Sequence, residues 1–171
     1  MELIMALAIP GNRLINAGIF CVCVITIGVV LYMEHVMLLS PCGLCITQRV
    51  FVILCGVVCL ISAVHNPAPH GQKLYAFLAA AMCVFGSYFA GRQIWLQHLP
   101  EDQVPACGPG LTYIYDNFPF LETLNFLLKG DGNCAEVQFR FLGLSIAEMS
   151  MVAFIVLLSS LLYTAFRQQR G

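Results

Sequence analysis

The stretch from Leu14 to Met33 carries no charged residue. About 20 helical residues are enough to cross the roughly 30 Å hydrocarbon layer of a bilayer. Three further runs are long and strongly apolar. One covers about 44–64 and is interrupted near its start by Gln48 and Arg49. Another covers about 74–96, with Arg92 near its end, and the last covers about 149–166. Backbone groups in lipid must be satisfied within their own segment, so each run is predicted to be a helix. The expected fold class is all-α: an integral membrane four-helix bundle, one domain over 1–171. A long loop of about 97–145 joins its third and fourth spans. Composition agrees, since the chain is 60% hydrophobic and 10% charged, against roughly 45–50% apolar residues in soluble domains. A soluble bundle would need charged helix faces, and these are missing. The net charge of −1 gives no sign of a nucleic-acid partner. The first run is too long for an ordinary signal-peptide core, and no clear small-residue cleavage site follows it. It reads as a retained signal-anchor helix.

Charge bias sets the expected orientation. Arg13 precedes the first span, Lys73 is read in the loop between the second and third, and Arg167 and Arg170 follow the fourth. The 34–40 loop has no Lys or Arg, and the 97–145 loop has only Lys129 and Arg140. The positive-inside rule puts both termini and the 65–73 loop in the cytoplasm. The other two loops then face outside, where disulfides persist.

Nine cysteines divide by that topology. Cys21, Cys23, Cys55, Cys59 and Cys83 fall inside predicted helices, where a small apolar-tolerant residue suits close packing. Ala79, Cys83, Ser87 and Gly91 recur every four residues, as do Cys55, Cys59 and Ala63, and small residues at that spacing let membrane helices approach. Cys42 and Cys45 form C-x-x-C at the outer end of the second span. That motif alone is ambiguous between a redox pair and half a zinc site. Cys107 and Cys134 lack the spacing of further zinc ligands, so no metal is expected. If the second helix begins near 41–44, Cys45 lies in its first turn, where thiolates are stabilised. Arg49 follows at i+4 on the same face. An arginine in a span is usually functional, although snorkelling to the interface is the plain alternative. Cys107 in "PACGPG" and Cys134 in "GDGNC" sit on turn-rich segments expected to be flexible. Such segments suit exchange with another protein's thiols better than scaffolding, a structural disulfide being the competing reading. Phe120–Leu128 between them has amphipathic character suited to the membrane surface. The "FRFLGLSIAEM" stretch is also read as interfacial.

With these residues in place, the chain resembles the disulfide bond formation protein DsbB family. The resemblance rests on "HVMLLSPCGLCITQR", "WLQHLPEDQVPACGPG" and "GDGNCAEVQFRFLGLS", in that order and within the four-span plan. It implies a bacterial inner-membrane oxidoreductase that reoxidises a thioredoxin-like periplasmic oxidase, DsbA, and passes electrons to a membrane quinone, ubiquinone or menaquinone. By matching residues, Cys107 and Cys134 would be the disulfide that meets DsbA, with Cys107 attacked first. Cys42 and Cys45 would be the second pair, with Cys45 and Arg49 facing the quinone. Gln97 matches a position linked to the quinone pocket, and Gln93 occupies one where the family pattern can carry a histidine. A vitamin K epoxide reductase-like oxidase shares the span plan and the C-x-x-C. There the core pair lies near the end of a late helix, whereas here it opens the second. A non-enzymatic membrane protein with structural disulfides is the alternative from another class.

Overall fold

The computed structural model describes residues 11–108, 113 and 117–167. Four helices are long and apolar enough to cross a membrane: α1 (Asn12–His35), α2 (Gly43–His65), α3 (Pro69–Gln97) and α5 (Ile146–Arg167). The shorter α4 (Phe120–Lys129) lies in the loop between α3 and α5. Much apolar surface faces outward, including Ile25, Val64 and Tyr163, as a helix bathed in lipid requires. Along the chain, α2 packs on α1, α3 on α2, and α5 on α3. α1 and α5 touch only lightly, which leaves a cleft between them.

Helix ends explain where the observed spans depart from the expected ones. α2 stops at Asn66, which adopts the left-handed conformation (φ 43°) and donates its N–H to Ser62 O at 3.0 Å. Pro69 then opens α3. It has no N–H to leave unsatisfied, and its ring pre-sets the helical φ. The third helix therefore begins at Pro69 rather than near 74, and Lys73 lies inside it, not in the loop. Arg170 lies outside the described residues. α5 begins at Ile146, not near 149, because Ser145 and Glu148 form a capping box. The Glu148 carboxylate accepts from Ser145 N–H at 2.6 Å, and Ser145 Oγ accepts from Glu148 N–H at 3.3 Å.

Small residues hold the bundle together. Cys55, Ala79, Cys83 and Ala90 are fully buried in the shared core. Gly86 lies on the same face of α3, and a Cβ there would come within 2.2 Å of the Phe154 ring on α5. The α3 stripe thus runs Ala79, Cys83, Gly86, Ala90, following 3.6 residues per turn instead of strict fours. Cys21 corrects the packing reading. It is exposed, while Cys23 is buried, because two residues of helix turn a side chain through about 200°.

At one end of the bundle, α4 lies over the start of α2. Gly43 gives it room, since a Cβ there would be 3.3 Å from Leu127 Cα. Arg92 donates from Nε to Lys129 O at 2.9 Å. Phe120 and Leu121 of α4 are exposed, in keeping with the amphipathic reading. The "FRFLGLS" stretch folds as a tight antiparallel hairpin of β1 (Arg140–Phe141) and β2 (Leu144–Ser145). Its two turn residues, Leu142 and Gly143, both have positive φ, as such two-residue turns require.

Candidate functional site

The chain reaches α2 through Pro41 and Cys42. Cys42 is the extended N-cap of α2 (ψ 170°), and its carbonyl accepts the first helical bond from Ile46 N–H at 3.2 Å. Cys45 falls in the first turn, and its Sγ stands 3.1 Å from Cys42 Sγ. Cys42 is buried and Cys45 half-buried. A two-residue spacing at a helix start brings both sulphurs to the same point.

Cys134 also arrives there. It closes a short 3-10 turn, Gly132–Cys134, and is 0% exposed in a cluster with Cys42, Leu44, Phe89 and Leu96. The Cys42 and Cys134 thiols share a hydrogen bond. That bond holds Cys134 below the ordinary thiol pKa, with help from backbone N–H groups of Leu44 and Asp131 and against the effect of burial. It pushes Cys42 up, with Cys45 and burial acting in the same direction. The proton is thus held more tightly on Cys42 than on Cys134.

Cys107 is exposed and lies against the Cys134 turn. A Cβ at Gly132 would be 2.5 Å from Pro105 O and 3.0 Å from Cys107 Sγ, so the close approach needs glycine. Asp131 pins the two segments together. Its Oδ2 accepts from Gly108 N–H at 3.2 Å and from Asn133 Nδ2 at 2.6 Å. The segments read as flexible are therefore tied to each other, and they differ in exposure.

A cavity of about 300 Å³ occupies the cleft between α1 and α5. Cys45, Arg49, Gln93 and Gln97 all line it, beside apolar Ile25, Val29, Val52 and Met149. Arg49 does not snorkel freely. It is ion-paired with Glu34 of α1, and the two side chains are 20% and 28% exposed. Its Nε is buried with no hydrogen-bond partner among the described residues. A guanidinium fork with an unanswered donor, set in apolar walls, suits a flat ligand bearing acceptor oxygens. Gln93 is buried and its Nε2 stands 3.2 Å from Cys45 Sγ. Gln97 accepts from Ser145 Oγ at 2.9 Å, which ties the end of α3 to the cap of α5.

Sequence reasoning did not find Glu34, Asp131, Gln48 or Ser150. Glu34 had one available signal, a lone acid beside an apolar span with an unpaired arginine nearby in the chain.

The fold and site together define a class: a multi-pass membrane protein that gathers four cysteines at one end of its bundle, two of them lining an apolar cavity. The disulfide bond formation protein DsbB family model matches residues 12–164, and the chain belongs to that family. Disulfide bond formation protein B of Saccharophagus degradans is 49% identical over 160 residues, covering 94% of this chain and 96% of the relative. That of Acinetobacter baumannii is 42% identical over 156 residues, 91% of each chain. Disulfide bond formation protein B 1 of Pseudomonas aeruginosa is 41% identical over 154 residues, 90% and 93% of the two. No solved structure gives a significant match. The chain is thus a multi-pass bacterial membrane protein of disulfide bond formation, a thiol-oxidising role.

Proposed function

We propose that this protein reoxidises a DsbA-like thioredoxin-fold oxidase on the periplasmic side and delivers the electrons to ubiquinone or menaquinone. One observation carries the reading: the sulphurs form a file. Cys107 is exposed, Cys134 is buried against Cys42, and Cys45 stands 3.1 Å from Cys42 and lines the cavity. A large partner meets the exposed Cys107, and a lipid-soluble acceptor in the cavity meets the Cys42–Cys45 pair, since neither Cys107 nor Cys134 lines it.

The exchange steps follow from that order, each a thiolate attack on a disulfide sulphur. The partner's thiolate attacks Cys107 Sγ, the Cys107–Cys134 bond breaks, and Cys134 leaves as a thiolate. Cys134 attacks Cys42 Sγ, breaking Cys42–Cys45 and releasing Cys45. The partner's second thiol closes the partner disulfide and frees Cys107. Cys107 then attacks Cys134 Sγ, which restores the loop disulfide and leaves Cys42 and Cys45 reduced. Re-forming the Cys42–Cys45 disulfide releases two electrons and two protons, and a bound quinone supplies the acceptor for both. Arg49 would hold its oxygens, with Gln97 on the same wall. A fixed guanidinium stabilises negative charge where it develops, and it does so most strongly in a site with little water. The orientation that serves this chemistry is the one charge bias favours, with Arg13, Lys73 and Arg167 cytoplasmic and all four site cysteines outside.

The test is turnover. Purified protein with added quinone should oxidise reduced DsbA catalytically, reducing one quinone per disulfide formed. Replacing any of the four cysteines by serine should lower the rate at least a hundred-fold. Turnover that continues without quinone, or that survives Cys45→Ser, would refute the reading.

A further inference from the structure

Three helices contribute one polar residue each, buried on α2 and α3 and half-buried on α5, to a line that ends on the sulphur pair. Ser150 Oγ on α5 donates to Gln48 Oε1 on α2 at 2.6 Å. Gln48 Nε2 donates to Gln93 Oε1 on α3 at 2.8 Å. Gln93 Nε2 then stands 3.2 Å from Cys45 Sγ and 3.6 Å from Cys42 Sγ. Gln48 is 5% exposed and Gln93 4%, so neither amide has bulk water as a substitute partner.

The order of donors matters. A side-chain amide has one accepting end and one donating end. With Ser150 holding Gln48 by its oxygen, Gln48 must present N–H to Gln93. Gln93 is then held by its own oxygen and must present N–H to the sulphurs. Such a donor favours a sulphur anion and carries no charge that changes with pH. A hydroxyl, unlike an amide, both donates and accepts. The line therefore has a second satisfied setting, with both amides turned and Ser150 accepting. The Gln93 oxygen then takes the place of Nε2, 3.2 Å from Cys45 Sγ, and meets an S–H. One setting fits the thiolate and the other fits the thiol, and neither strands a buried polar group.

We propose that Gln48 and Ser150 are positioning residues that set the Gln93 amide on the Cys42–Cys45 pair, so that Gln93 serves the sulphurs rather than the cavity's ligand. This deepens the proposed function and rests on it only for the use made of Cys45. The rate at which Cys45 reacts tests it with neither DsbA nor quinone present, so a failed turnover assay and a failed positioning role are separate results. Reduced full-length protein in detergent is alkylated with iodoacetamide at pH 7. Modification of Cys45 is followed by mass spectrometry against Cys107 as internal reference. Gln93→Met should slow Cys45 relative to Cys107 by about ten-fold, since a charge-assisted bond is lost. Ser150→Ala, which touches neither sulphur, should slow it several-fold, and Ser150→Thr, which keeps the hydroxyl, should stay within two-fold of the unmodified protein. A merely structural role would shift thermal stability and leave the ratio unchanged. Ratios within two-fold in both Gln93→Met and Ser150→Ala, or Ser150→Thr as slow as Ser150→Ala, would overturn the proposal.

Discussion

Arg49 has an ion-pair partner and an unsatisfied buried atom on one side chain. Glu34 takes its Nη1, while Nε is buried without a partner among the described residues. A buried unanswered donor destabilises a fold by roughly 1–3 kcal/mol, so its persistence here points to a ligand that answers it. Arg49→His should raise the quinone KM about ten-fold or more, since bonds to charged groups contribute about 1.5–3 kcal/mol. Single-turnover exchange with reduced DsbA should change less than two-fold. Equal loss in both assays would sever Arg49 from the cavity's function. Cys134 allows a test by titration. Its pKa is lowered, first by the Cys42 hydrogen bond, so its thiolate should persist below the ordinary cysteine value of about 8.5 and be lost as pH falls through the lowered value. A difference titration of thiolate absorbance, reduced protein against Cys134→Ser, should show that depressed midpoint. Cys42→Ala should move it back up. A midpoint at or above the ordinary value would contradict the pairing. Cys42, Cys45 and Arg49 were legible in the sequence because their spacing is local and one helix start arranges them. Glu34 and Asp131 were not, since each acts on a residue brought near only by folding.

Among the elements, the spans were legible because lipid tolerates so little charge that its absence alone marks them. Their ends were harder. The α5 start is written as "SIAE", a capping box that apolar counting passes over. The α3 start is written as Pro69, which extends that helix back past Lys73. Cys21 shows the limit of treating all span cysteines alike, since helix rotation turns it away from the core that holds Cys23. The α3–α5 contact depends on Gly86 making room for Phe154, which is 1% exposed. Gly86→Ala should lower stability by roughly 1–3 kcal/mol through overpacking, read as an earlier midpoint in detergent-induced unfolding. An unchanged midpoint would mean the ring has somewhere else to go.

At the scale of the molecule, the proposed function has the bundle join two kinds of chemistry that do not mix. Protein thiols react in water, and quinones dissolve in lipid. The light contact between α1 and α5 leaves an apolar cavity, and the start of α2 sets both thiols of a pair against it. The loop between α3 and α5, pinned by Asp131, leaves Cys107 exposed while its neighbour Cys134 reaches Cys42 of that pair. The contact between Cys134 and Cys42 is the link on which the whole route depends. It can be trapped with a DsbA variant that keeps only its attacking cysteine, which stops exchange once Cys107 is engaged. Disulfide mapping of that complex should find DsbA bonded to Cys107, Cys42 bonded to Cys134, and Cys45 as an alkylatable thiol. A complex in which Cys42–Cys45 stays intact and Cys134 is free would contradict the account.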